Sequence, residues 1–198
     1  MTNYYCLVTG LPELSLEDGK LSYTVANFKT EIYPELSKAD KKLVDLFYLK
    51  FDNQNLLTLL KDKEASVDTS LGNYSADELL SVITSLKEET APDKKFPTYF
   101  YEFAELYLNT PDDERWGLED KLHGFYYNHA MKCGNPFVSA WFELNLDVNN
   151  ILAAMTARKY KMEVAKVPVG ENLVAEALRS SNARDFGFAD DLEYFEQL

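Results

Sequence analysis

Few residues in this chain are of a type and spacing that could do chemistry. His129 and Cys133 stand four apart, a spacing that would let both occupy one helical face as half of a zinc site. No second pair of ligands accompanies them, and the expected stripe of Leu118, Leu122, Phe125 and His129 reads as packing surface. His123 is the only other histidine, so imidazole activation of a nucleophile has little to work with. Asp185-Phe186-Gly187 has the letters of the kinase metal-binding tripeptide but none of the accompanying motifs, and reads as coincidence. Glycine-rich phosphate loops are absent. The expected catalytic, metal and cofactor-binding sets are therefore empty.

What remains is a pair of polar residues, an aspartate and an asparagine, that occurs twice. Asp52-x-x-Asn55 follows one apolar helical stretch, and Asp147-x-x-Asn150 follows another at an offset of 95 (147 − 52). The same offset lays Leu43 on Val138, Leu46 on Trp141, Phe47 on Phe142 and Leu49 on Leu144. Repetition on this scale signals a duplicated architectural unit. Each Asp-x-x-Asn is expected at a joint between two helices, the carboxylate capping the new N-terminus and the amide bridging the break. A smaller share of the reading is a contact surface formed by these four residues and Arg158, which belongs to the basic run Arg158-Lys159-Tyr160-Lys161.

The elements that must position these residues are helical. Apolar residues recur at three and four positions, and glycine and proline sit mainly between segments. Ser22 is a candidate cap for a helix carrying Val25, Phe28 and Ile32, and Ser37 with Asp40 resembles a capping box. A short helix through Leu60 is expected after the first motif. Ser75 with Glu78 opens a helix whose stripe is Leu79, Ile83 and Leu86. An aromatic helix follows over Tyr99–Leu106, then a long one from about Asp112 to Cys133. Asn135-Pro136 starts the helix of the second motif, and another spans Glu171–Arg179. The acidic tail from Asp185 reads as a short terminal helix. The fold class is all-α, two tandem helical units of about 95 residues, over 1–92 and 96–198, with a charged linker at about 88–95.

Bulk composition narrows the partners. The 198 residues carry 33 acidic against 20 basic side chains, a net charge of −13 that would repel a phosphate backbone. No apolar run approaches the ~20 residues of a membrane span. The start of the chain lacks a secretory pattern, and the two cysteines, Cys6 and Cys133, lie far apart, so a cytoplasmic protein with free thiols is expected.

An apolar aromatic helix followed by hydrophobic-Asp-x-x-Asn-Leu/Ile-Leu and a later basic residue resembles the repeated signature of the C subunit of rotary V/A-type (vacuolar-type) ATPases, called d in eukaryotes. Phe51, Asp52, Asn55, Leu56, Leu57 and Lys61 carry it first; Leu146, Asp147, Asn150, Ile151, Leu152, Arg158 and Lys159 carry it again. Residues Tyr4–Pro12 are also similar to the start of a bacterial family encoded beside V-type ATPase subunits. The resemblance implies a non-catalytic rotor part at the membrane periphery. Its partners would be the central stalk and the proteolipid ring. The rotor component it resembles has three such units, whereas this chain supplies two, so a reduced socket, a socket completed by another molecule and an accessory factor are all open. A free-standing helical adaptor and a metal-dependent helical hydrolase are the other readings.

Overall fold

A computed structural model describes residues 4–13, 15, 19, 23–181, 183 and 185–188. Every regular element among them is helical. In chain order these are α1 (Tyr5–Thr9), α2 (Val25–Asn27), α3 (Lys38–Lys61), α4 (Ala76–Lys87), α5 (Thr98–Asn109), α6 (Leu118–Met131), α7 (Pro136–Lys159) and α8 (Leu173–Ser180). The chain divides into two compact units at Leu80/Ser81, inside α4 and upstream of the linker expected at 88–95. None of the described helices is long and apolar enough to cross a membrane.

In the first unit, the short N-terminal pieces pack onto α3. Thr24 caps α2 through a reciprocal pair with Asn27, and the helix widens into a π turn over Phe28–Ile32 and tightens into a 3₁₀ turn over Tyr33–Glu35. Ser22, the cap expected from the sequence, lies outside the described residues. Ser37 does cap α3, accepting from the Asp40 N–H at 3.2 Å. The return arm of the expected box is replaced: the Ser37 N–H donates to the Tyr4 hydroxyl at 2.7 Å, and that hydroxyl donates to Asp40 at 2.7 Å. Ser75 and Glu78 form both arms of theirs, at 3.3 and 2.8 Å. Leu79, which ends this unit's share of the α4 stripe, is fully buried; Ile83 and Leu86, past the boundary, are fully buried and half-buried respectively.

In the second unit, α5 brings Tyr99, Phe100, Phe103, Ala104 and Tyr107 inward, and Phe100, Phe103 and Ala104 have no exposure at all. Helices α5 and α6 pack together, as do α6 and α7, and α7 and α8. The single long helix expected from Asp112 does not form. A 3₁₀ turn at Asp112–Glu114 is followed by Gly117 at φ +81°, a left-handed geometry that costs glycine nothing, and α6 starts after it. The buried stripe of α6 is Leu118, Leu122, Tyr126 and Ala130; Phe125 and His129 are only half-buried, on the flank. Asn135 caps α7 through the Val138 N–H at 3.1 Å, with Pro136 in the first turn where its missing N–H is harmless.

After α8, the tail does not start a helix within the described residues. Phe186 and Phe188 turn inward and fill a cluster with Ile151, Ala154, Val174 and Leu178. The kinase-like tripeptide is thus a core plug, and residues 189–198 lie outside the described residues.

Candidate functional site

The expected joints are not joints. Helix α3 runs unbroken for 24 residues through Asp52 and Asn55, and α7 runs unbroken for 24 residues through Asp147 and Asn150. The separate short helix expected through Leu60 is simply the end of α3. Every main-chain donor at these positions is already used within the helix, so nothing there needs a cap. The polar side chains reach sideways instead, into the loop that leads from each long helix to the next.

In the first unit this loop is residues 62–75. The Asp52 carboxylate accepts the Asn73 N–H at 2.9 Å, the Tyr74 N–H at 3.1 Å and the Asn73 Nδ2 at 3.0 Å. Asn55 Nδ2 donates to the Asp68 carbonyl at 2.8 Å. Asp52 is fully buried, and burial raises its pKa to about 6, although the loop donors and the Lys29 charge pull the other way. Lys29 closes the loop from outside, donating to the Gly72 carbonyl at 2.6 Å and the Ser70 carbonyl at 3.3 Å, with its ammonium 4.4 Å from the Tyr48 ring centre. Burial lowers the Lys29 pKa against the opposing pull of Asp52 and Asp45. Burial likewise raises that of Asp45, which accepts the Tyr33 hydroxyl at 2.6 Å.

The second unit uses the same parts in residues 160–172. Asp147 accepts Asn172 Nδ2 at 2.6 Å, and Asn172 Oδ1 in turn caps α8 through the Ala175 N–H at 3.0 Å. Asn150 makes two bonds to Val169, one to its carbonyl and one from its N–H, both 2.8 Å. Arg179 donates to the carbonyls of Gly170 at 2.6 Å and Pro168 at 2.8 Å. In both units, then, a cation holds the loop glycine carbonyl and the carbonyl two residues before it. The cation comes from a segment ahead of α3 in one case and from α8 in the other.

Glycine is needed where the loop meets the carboxylate. A Cβ on Gly72 would fall 2.3 Å from Asp52 Oδ1, an atom fixed by its hydrogen bonds. Gly72→Ala is therefore expected to destabilise the chain by about 2 kcal/mol, through overpacking against a polar group that cannot move away. Urea unfolding followed by circular dichroism measures it; a midpoint within error of the parent's would show that the loop relaxes freely. Gly170 has its own requirement, φ +79°, with Leu146 Cδ2 3.1 Å from where a Cβ would sit.

The other candidate residues sit apart from these clamps. Arg158 lies with its guanidinium 3.8 Å from the Phe186 ring centre, holding the tail plug. His129 packs its ring 5.3 Å from Tyr99, and burial lowers its pKa. Helix α6 ends at Met131, so Cys133 does not share its face; the thiol lies 3.7 Å from the Asn135 carbonyl and 3.6 Å from Ser139 Oγ. Among the described residues, no group of three or more His, Cys, Asp and Glu side chains converges on one point. Chemically, the two Asp/Asn sets clamp loops: the donors on Asp52 leave little of its carboxylate for a substrate.

Lys29, Arg179, Asn73 and Asn172 do not stand out in the sequence as site residues. Gly72-Asn73 and Gly170-Glu171-Asn172, each just ahead of a helix start, are a signal for the two asparagines. Nothing local marks Lys29, which acts across 43 residues.

No curated protein and no solved structure matches the chain. One family profile does, over residues 1–198, and its description is "Protein of unknown function (DUF2764)". A match across all 198 positions leaves no part of either unit outside it, and the chain belongs to the DUF2764 family.

Proposed function

We propose that this protein is a non-catalytic component of, or accessory to, the central stalk of a rotary V/A-type ATPase, acting through protein–protein contacts. The observation that carries the reading is the loop clamp built twice from Asp52/Asn55 and Asp147/Asn150, each on a 24-residue helix. These are the positions on which the sequence resembles the rotor socket of those motors, and both units spend them on fixing shape. On this reading the units descend from one duplicated hairpin, and the clamp keeps each hairpin stiff enough to carry load.

Three further features support a binding role. The buried carboxylates are occupied by loop donors, the net charge of −13 disfavours nucleic acid, and none of the described helices is fit to cross a membrane. A membrane association would then run through other subunits, with the protein on the cytoplasmic side.

The test is affinity purification of the tagged chain, expressed at its natural level in the organism that encodes it, after mild cross-linking. Stalk and proteolipid subunits of the ATPase are expected in stoichiometric yield over an untagged control. Their absence, with the tagged chain itself recovered intact, removes the motor assignment and leaves a free-standing adaptor.

A further inference from the structure

Helix α7 carries a second apolar face, opposite the one that packs inside its unit. Phe137, Trp141, Leu144, Val148, Leu152 and Met155 recur at four, three, four, four and three residues, which keeps them on one line along the helix. All but Val148 are between 40 and 75% exposed. The equivalent positions of α3 show that such a line is normally covered: Leu46, Leu49 and Leu57, the counterparts of Trp141, Leu144 and Leu152, are at most 7% exposed. Three of the six positions are thus apolar and covered on α3 but open on α7, while Phe137 and Val148 correspond to the polar Lys42 and Asn53. A row of this length exceeds the scattered exposed apolar residues of an ordinary surface.

Charge around the line differs from the rest of the molecule. Of the 33 acidic residues, only Glu143 stands exposed on α7, since Asp147 is buried in the clamp. At the C-terminal end, Lys159 and Lys161 are exposed beside Tyr160 and Met162, themselves more than 60% exposed. The C-terminal end of the open face is therefore basic in a chain of net charge −13: Arg158, Lys159, Lys161 and Lys166 stand there against one acid, Glu163, which pairs with Lys166 at 2.7 Å.

We infer that the outer face of α7 is a docking surface for an amphipathic helix of another protein, one that lays its apolar stripe along Trp141 and Leu144 and places carboxylates against Lys159 and Lys161. A second copy of the chain fits less well. Side by side it sets the lysines against lysines, and head to tail it sets them toward the end where Lys132 stands. The line spans about 27 Å and a helix is about 10 Å wide, so one such contact covers well under the ~800 Å² per partner of a stable dimer. A partner helix guided by opposite charge fits a contact of this size. The surface is independent of whether the partner belongs to a motor.

The test uses the full chain and three 18-residue helical peptides with one shared Leu/Phe stripe, carrying Glu, Gln or Lys at the end that would meet Lys159 and Lys161. Binding is read by fluorescence anisotropy. The Glu peptide is expected to saturate and to bind on the order of 5-fold tighter than the Gln peptide, as two exposed ion pairs would give. Leu144→Asp, at an exposed position and checked for unchanged circular dichroism, is expected to weaken it at least about tenfold. Lys159→Glu/Lys161→Glu should turn the preference toward the Lys peptide.

Equal binding of all three peptides, or none, overturns the inference. So does concentration-dependent dimerisation that Leu144→Asp abolishes, which assigns the face to a second copy. A third contrary result is tighter peptide binding by Leu192→Asp/Phe195→Asp than by the parent. That would assign the face to residues 189–198, whose sequence holds Leu192, Phe195 and four acidic residues.

Discussion

Asp52→Ala is expected to cost about 4 kcal/mol of stability, the range measured when one partner of a buried charged network is removed. Three donors, the N–H groups of Asn73 and Tyr74 and the Asn73 amide, would lose their acceptor, whose own side chain has no exposure, although Asn73 and Tyr74 are themselves only half-buried. Each such orphan costs on the order of 1–3 kcal/mol, though the loop recovers part by opening to water. Lys29 would also lose the first of the two charges that favour its ammonium form. Urea unfolding at pH 7 measures the loss, and a value below about 1 kcal/mol would show that the carboxylate does not close the loop.

The same carboxylate has a pH signature of definite sign. Its pKa is about 6 in the folded chain against 3.8 for an ordinary aspartate, so between those values the native state holds a proton that the unfolded state has released. Stability from this group is therefore present below pH 3.8 and is lost as pH rises toward 6, by about 3 kcal/mol in all. Asp52→Asn, which cannot ionise, is expected to lack that fall. Unfolding free energies of parent and variant between pH 4 and 7 test it. Parallel curves would mean that the loop donors cancel the cost of burying the charge.

The second large effect belongs to the tail. Phe186→Ala is expected to cost about 4 kcal/mol, because it empties a site bounded by Ile151, Ala154, Val174 and Leu178. It also strips the ring from beneath the Arg158 guanidinium, an interaction worth about 1 kcal/mol. Phe186 sits at φ +57°, an uncommon region for a residue with a Cβ, and the chain tolerates it because the ring is 2% exposed. Phe186→Leu should lose only about half as much, since it keeps most of the apolar volume. Equal and small losses, under about 1 kcal/mol, would place residues 185–188 outside the folded core.

Much of the fold was legible in local pattern. The capping residues Ser37, Ser75 and Asn135 each stand where a helix starts, because the cap bond spans only three residues. The aromatic helix at Tyr99 and the stop before Pro111 follow from periodicity and from proline's missing donor. Asp52, Asn55, Asp147 and Asn150 stand out in the sequence as a repeated polar pair in apolar surroundings, and all four are buried. Their task is not the one the sequence suggests. A polar pair inside a long apolar stretch suggests a break in the helix, and only the packed loop reveals that its partners lie 13 to 25 residues downstream.

The amino-acid order by itself determined that this chain is helical, that its helices start at particular capped residues, and that one polar pair recurs in both halves. Those properties depend on hydrogen bonds and periodicities within a few residues, so they are written locally along the chain. Tertiary structure alone decided what the pair does, that Lys29 and Arg179 each hold a glycine carbonyl, that Phe186 is core, and that Leu46, Leu49 and Leu57 are covered on α3 while their counterparts on α7 are open. Whether an apolar face is buried depends on which distant segment folds over it, and local periodicity is the same in either case.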